Sequence, residues 1–478
     1  MLSKEYKLIK HAEIHSDNQG GVYKRAKLSC GMFMAIALLA ANSSAKVAEP
    51  EAIKLGKELT PIGAIKSGNA DGSIPAWDGG LINHSAYRAD SEGRPVNPFP
   101  DDKPLFTIDA SNYTQYSDRL SVGYQALLKT YPETFKIPVY QTRRTASLPE
   151  NIYKAAKENA LTAELIEGGN SVANYQVAVP FPIPQNGLEV IWNHIMRYRG
   201  GSVERFFAQA VVQKNGTFVP VKMTDQFVFP EYFEDGYDSD ADNNRLFYYK
   251  QVVTSPARLG GNVLLVHETI DQVKEPRNAW VYNAGQRRVR RAPQVAYDGP
   301  GTAADGLRTS DNFDLYNGAP DRYDWRIVGK KEMYIPYNSY QLMDTTLTYE
   351  DIIKPGHMNP DHTRYELHRV WVVEATLKSG QKHVYAKRVF HVDEDTWQVA
   401  AVDHFDGRGE LWRVSEAHAV QFPQANAPWY AAEAIYDLVA RRYLVLGLSN
   451  EEKKAIEFGY KSSRKEFTPS ALRRAGKR

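Results

Sequence analysis

The sequence predicts a mainly β protein with helices (α+β), built on one long antiparallel sheet. Between about residues 190 and 422, runs rich in Val, Tyr, Phe and Trp alternate with turn residues, while the flanking segments carry turn-dense or helical spacing instead. The runs are 206–213, 217–223, 245–254, 262–270, 278–284, 325–337, 364–377, 382–392, 396–404 and 410–421. Ser379-Gly380, Asp393-Glu394-Asp395 and Asp406-Gly407-Arg408-Gly409 separate the last four, so these read as a four-strand meander. Within 371–377, Trp371, Val373, Ala375 and Leu377 share one face, and Val372, Glu374 and Thr376 the other. A sheet of this length twists, curls or closes. Leu246, Phe247, Tyr248 and Tyr249 are apolar on both faces, which suits a curved sheet with helices or loops on one side and filled space on the other.

Residues 46–105 are rich in Gly, Pro, Asn and Asp, as from Gly68 to Pro75, and read as an extended segment wrapping over the rest. Helical spacing follows at 109–131 and 149–166, the latter starting at Pro149 with Ile152, Ala155, Ala156, Ala160 and Ala163 on one face. The Pro-rich stretch Val179 to Pro184 breaks that pattern. The C-terminal part, 423–478, reads as helical: Trp429, Ala432, Tyr436, Val439 and Tyr443 recur every three or four residues. Ser449 with Glu452 has capping-box spacing, and Thr468-Pro469 starts a short last helix. The predicted organisation is a signal peptide (1–45), an extended and helical segment (46–189) packing on a barrel (190–422), and C-terminal helices (423–478).

Lys24, Arg25 and Lys27 precede the apolar run Gly31 to Ala41, and Ser43, Ser44 and Ala45 offer small residues for cleavage before Lys46. A membrane anchor fits less well, because spanning a bilayer takes roughly 20 apolar residues. Export to a Gram-negative periplasm is the expectation, with the processed chain not integral to a membrane. The single cysteine, Cys30, lies in the leader, so the remainder has no disulfide, thiolate ligand or cysteine nucleophile. Residues 1–45 hold six Lys/Arg and three acids out of 59 and 57, leaving 53 basic and 54 acidic residues, a net of −1. A nearly neutral chain with scattered charge gives no footprint for nucleic acid.

Chemistry is sparse. There is no phosphate loop, dinucleotide fingerprint, nucleophile elbow or H-E-x-x-H. Asp238, Asp240 and Asp242 open like a calcium loop, but Asn243 stands where Gly is needed and Tyr249 where Glu is needed. The loop 298–324 carries Asp298, Asp305, Asp311, Asp314, Asp321 and Asp324 among glycines, which more often supplies turn chemistry than a cation site or general acids. His368, His383 and His391 fall on adjoining runs and read as ordinary histidines. No cofactor and no metal are expected. Arg287, Arg288, Arg290 and Arg291 leave two readings open: Arg288 and Arg290 at a cavity rim holding an anionic head group, or a sheet edge guarded by charge.

The stretch Ala279 to Arg291 (A-W-V-Y-N-A-G-Q-R-R-V-R-R) resembles a W-x-Y-x-P strand leading into a K/R-V-R-R strand in the LolA/LolB-like lipoprotein-localisation superfamily. Ser310 to Asp314 resembles that superfamily's downstream S-D-F element, and Ala386 to Asp393 and Asp406 to Trp412 resemble its closing hairpins. With Gly187 to His194 and Tyr297 to Thr302, the chain looks like a proteobacterial exported family of unknown function related to that superfamily. The resemblance implies a half-open antiparallel β-barrel covered by helices, with an apolar cavity for acyl chains. It also hints at work beside resistance-nodulation-division (RND) transporters.

The leading expectation is a periplasmic binding or carrier protein, not an enzyme, for a lipid or other hydrophobic ligand. Its partners would be that ligand and an RND-type transporter or an outer-membrane protein. Trp280, Tyr282, Trp371, Trp397 and Trp412 would line the cavity with Arg288 and Arg290 at its rim, although the same aromatics would equally fill a closed core. The alternatives are an envelope scaffold contacting its partner through 46–105 and a hydrolase using loop 298–324.

Overall fold

The computed structural model describes residues 47–476, and 16 of its strands join in one sheet whose path never closes. Six consecutive strands form one antiparallel meander: β1 (Ser202–Val212), β2 (Val221–Val228), β3 (Arg245–Ser255), β4 (Val263–Thr269), β5 (Asn278–Asn283) and β6 (Arg288–Arg291). Seven more form a second: β7 (Tyr323–Pro336), β8 (Tyr365–Leu377), β9 (Lys387–Asp393), β10 (Val399–Phe405), β11 (Leu411–Phe422), β12 (Ala427–Asp437) and β13 (Arg442–Leu448). The meanders meet where β13 pairs with β1, Leu444 opposite Val211. The outer strands of the two meanders are therefore β6 and β7, the two strands that flank loop 292–322, and two short strands, Phe106–Ile108 and Ile137–Val139, extend the sheet beside the start of β8.

Register shifts at Lys222/Met223, Ile327/Gly329, His391/Val392, His404/Phe405, His418/Ala419 and Leu446/Leu448 bend the strands. Bulges of this kind increase local twist and let a long sheet curl, and the result is the half-open barrel expected from the sequence.

Among the described residues, three helices of eight or more residues accompany the sheet: α1 (Val122–Thr130), α2 (Glu150–Thr162) and α3 (Gly187–Met196). The α2 helix buries Ile152, Ala155, Ala156 and Ala160, as its spacing predicts. The expected helix 109–131 is divided: a 3-10 turn covers Tyr113–Arg119, and Ser121 then caps α1 by accepting from the Tyr124 N–H at 3.0 Å.

Residues 47–105 wrap over the barrel through their carbonyls. The Trp397 indole N–H donates to Ile62 O at 2.9 Å, and the Arg144 guanidinium donates to the carbonyls of Ile65 (2.8 Å) and Lys66 (3.1 Å). Gly63 shows how close the wrap lies. It has φ +98°, and a Cβ there would sit 1.7 Å from Pro182 O. Gly63→Ala is expected to cost roughly 2 kcal/mol or more, combining a left-handed alanine with a forced backbone shift. Urea unfolding of parent and variant measures it.

The C-terminal part corrects the sequence reading. Residues 423–476 are not the helices expected: β12 and β13 occupy 427–448, a short strand at Ile456–Phe458 pairs back onto β1, and only short turns of helix, Arg464–Phe467 and Leu472–Ala475 among them, accompany these strands. Every residue of β12 is buried. A strand buried on both faces has no alternation to betray it, and its apolar run fits a helix equally well. The barrel accordingly extends to 448, past the expected boundary at 422. The predicted leader, 1–45, lies outside the described residues. Among the described residues no helix is long and apolar enough to cross a membrane.

Candidate ligand cavity beneath the cross-sheet loop

Loop 292–322 runs from β6 to β7 across the inner face of the sheet, held by a row of buried polar anchors. The Gln209 amide donates to the carbonyls of Thr302 (2.9 Å) and Ala303 (2.8 Å). Arg413 donates to those of Gly306 (2.9 Å) and Leu307 (3.1 Å). Asp311 pairs with Arg388 at 2.8 Å and His383 at 3.1 Å. Asp314 lies between Arg197 (2.7 Å) and Arg199 (2.6 Å) just beyond α3, and Asn317 donates to Glu268 at 3.0 Å. Despite burial, the guanidiniums beside Asp311 and Asp314 hold both carboxyls below the usual carboxylate range.

His194 on α3 joins the same lattice. Its Nδ1 accepts from the Val399 N–H at 3.0 Å while Nε2 donates to Asp314 O at 2.8 Å, which fixes one neutral tautomer. Burial, then the Arg197 charge, lowers its pKa to about 3.

Between this loop and strands β3 and β4 lies a cavity of about 540 Å³, mouth included. Phe247, Tyr249, Leu264, Val266, Val295 and Phe313 form its apolar wall, and Gln251, Arg308, Ser310 and Asn317 are among its polar groups. Arg308 stands out. It is only 9% exposed, its Nε has no hydrogen-bond partner, and no carboxylate among the described residues pairs with it. Gln251 Oε1, Ser310 Oγ and Asn317 Oδ1 are likewise buried without partners. Leaving the Nε of a largely buried guanidinium unsatisfied is costly, and the planar fork suits a carboxylate or phosphate. A wider polar groove beside Asp90–Phe99 differs: there Arg364 already pairs with Asp102 (2.9 Å) and Glu366 (2.7 Å).

Glu433 on β12 is fully buried, and neither carboxyl oxygen has a partner among the described residues. Burial, then the Asp314 charge, pushes it up to about 8, against the pull of Arg308. An unfolded glutamate titrates near 4.3. Between those values the unfolded chain loses its proton first, so stability falls as pH rises from roughly 4.5 to 8. Glu433→Gln should therefore be more stable than the parent by roughly 2–4 kcal/mol at pH 8 and equal to it near pH 4.5. Urea melts at the two pH values give the comparison.

The residues singled out from the sequence fall in four places. Trp280 and Tyr282 turn to the outer face, where Tyr282 packs with Phe467 and Leu472 of the C-terminal segment and Trp280 lies 4.8 Å from His267. Their neighbours Ala279 and Val281 take the inner face, since Ala279 pairs with the cavity residue Val266 and Val281 with Leu264. Arg288 and Arg290 are exposed on edge strand β6, and Arg290, opposite Val281, lies on the cavity side. Trp371 and Trp397 lie near-parallel with centroids 6.4 Å apart, and Lys330 sits 4.6 Å over Trp371. Trp412 donates to Asp437 at 2.9 Å and stacks under Arg413 at 4.1 Å. None of the seven lines the loop-covered cavity.

Sequence reasoning passed over Arg308 and the inner face of β3. The available signals were the doubly apolar run Leu246 to Tyr249 and one arginine set inside an acidic loop. The loop's aspartates also take a defined place: Asp305 pairs with Arg442 at 2.6 Å and Asp298 accepts from the Val384 N–H at 3.1 Å.

A sheet open along one side, with the chain between β6 and β7 laid across its inner face, makes this a half-open barrel with an internal, loop-covered cavity. The chain belongs to the family described as "Protein of unknown function (DUF1329)", whose model matches residues 107–473, the kind of family its motifs pointed to. It is 61% identical to an uncharacterized protein of Pseudomonas aeruginosa over 445 residues, 93% of this chain and 97% of that one. Among solved structures it is similar to a domain described as outer membrane lipoprotein-sorting from Vibrio parahaemolyticus (14% identity, TM-score 0.42, 60% of this chain and 98% of that one). A DUF1329 family protein from Desulfovibrio piger is similar too (16%, 0.37, 57% and 92%). So is a LolA superfamily protein from Nitrosomonas europaea (11%, 0.36, 60% and 98%).

Proposed function

We propose that the protein is a periplasmic binding or carrier protein, exported by a cleaved leader, for a hydrophobic molecule that bears an acidic group. The observation that carries this is Arg308: a largely buried arginine whose Nε has no partner and which no carboxylate among the described residues pairs with, facing a cavity walled on one side by Phe247, Tyr249, Leu264, Val266 and Phe313. The acid would take the Arg308 fork and the apolar portion would run along Phe247, Tyr249 and Phe313. The free space holds a head group and a short stretch of chain, so a long chain requires loop 292–322 to lift at its mouth. Delivery to or from an RND-type transporter or the outer membrane is the trafficking role we assign to such a carrier.

A hydrolytic role draws less support. Asp311 and Asp314 are fixed as ion-paired anions, and Asp305 and Asp298 anchor the loop from outside. Displacement of a fluorescent fatty acid from the purified full chain tests the binding reading. A saturable one-to-one site preferring a long-chain acid to the matching alcohol supports it; no saturable uptake of either contradicts it.

A further inference from the structure

A second buried constellation lies away from this cavity, on the other face of β8. His368 on that strand, with Asp393 and Asp395 at the end of β9 and in the turn that follows, offers three ligand atoms within 4.8 Å of one another, and all three residues are buried. The Glu366 carboxylate is 3.1 Å from His368 Nε2 and is itself held by the Arg143 N–H (2.7 Å), Asn338 Nδ2 (2.9 Å) and Arg364 Nε (2.7 Å). It therefore takes the Nε2 proton and leaves Nδ1 as a lone pair, the arrangement that orients metal-ligating histidines. That lone pair faces Asp395 Oδ2 at 3.9 Å, too far for a hydrogen bond and suited to two donors on one ion.

The carboxylates are oriented as well. Arg144 grips Asp395 at 2.6 and 2.9 Å, leaving a lone pair free on each oxygen. Thr396 Oγ1 donates to Asp393 Oδ2 at 2.6 Å, and no cationic Lys or Arg pairs with Asp393 among the described residues. An independent observation points into the same space. Tyr337 is 3% exposed, its ring lies on the His368 imidazole with centroids 3.9 Å apart, and its hydroxyl has no partner. The charges bearing most on that hydroxyl are those of Asp393 and Asp395.

We infer that His368, Asp393 and Asp395 bind a divalent transition-metal ion, with the Tyr337 hydroxyl serving a water that completes its shell. One imidazole and two carboxylates suit Zn²⁺ or Mn²⁺ better than Ca²⁺, which favours all-oxygen shells. The ion is structural: it ties the β9–β10 turn to β8 and, through Arg144, to the N-terminal wrap.

The test uses the full chain, treated with a chelator and titrated with Zn²⁺, Mn²⁺ and Ca²⁺ by calorimetry, with Co²⁺ absorbance as a report on coordination. One Zn²⁺ or Mn²⁺ per chain is expected, raising the melting temperature of the stripped protein by about 3 °C or more. Asp393→Asn should lose the ion and the Co²⁺ bands, yet be no less stable than the stripped parent, because it removes a buried charge. Tyr337→Phe, which folds if Asp393→Asn does not, should weaken affinity several-fold. A parent chain that binds no ion, or variants that bind it undiminished, would overturn the assignment.

Discussion

Replacing Arg308 by glutamine is expected to weaken binding of a long-chain carboxylate by roughly 10- to 100-fold while leaving the matching alcohol nearly unaffected. A charge-assisted hydrogen bond to a buried acid is worth about 1.5–3 kcal/mol, and each 1.4 kcal/mol is a factor of ten. The same change should make the empty protein more stable, since it removes a largely buried charge whose Nε has no partner. Opposite signs for binding and stability mark a residue kept for its ligand rather than for packing. Arg308→Lys preserves the charge and loses the planar fork, so it should fall between parent and glutamine. Calorimetry with acid and alcohol, together with thermal melts of the empty proteins, measures both signs. Equal losses for acid and alcohol would mean that the residue only shapes the wall.

Asp314→Ala is expected to give the largest loss of stability of any single loop substitution, about 3–5 kcal/mol. Arg197 and Arg199 each have side chains about 1% exposed, and Asp314 is the acid that meets both. Removing it leaves two charges buried beside the aromatic wall, with Arg199 5.6 Å over the ring of Phe247. Asp314 also sits in the left-handed region, at φ 54°, which Asp and Asn tolerate better than Ala. Asp314→Asn should therefore lose less. Urea unfolding gives the magnitude. Hydrogen exchange should show the loss of protection concentrated at 310–317, because the anchor holds the loop against α3. Uniform loss across the sheet would show that the pair supports the whole barrel.

Much of the sheet was legible because its turns and alternation are local signals. The runs at 245–254, 262–270, 278–284 and 364–377 match β3, β4, β5 and β8 to within a residue at either end, and the meander 364–421 pairs in the order its turns imply. Strand β12 and helix α3 escaped for a common reason. All of β12 is buried, as is all of α3 except Leu188, so neither shows a polar face to fix its period.

The site was harder. Alternation placed Trp280 and Tyr282 together, but it does not say which face of β5 looks inward. That was decided by Leu472 and Phe467, nearly two hundred residues later, which cover the outer face. Asp311 and Asp314 read as turn residues because their partners, Arg388 and Arg197, lie in distant elements. Arg308 carried no motif. Its meaning comes from having no carboxylate bonded to it among the described residues, a property only of the folded chain.

The most direct test of the binding account is photo-labelling of the full chain with a diazirine-bearing fatty acid, followed by peptide mapping. Saturable labelling confined to 245–268 and 295–317, competed by unlabelled acid and lost in Arg308→Gln, is the predicted result. Labelling that centres on Trp371 and Trp397 or on Trp412, or that persists undiminished in Arg308→Gln, would contradict it.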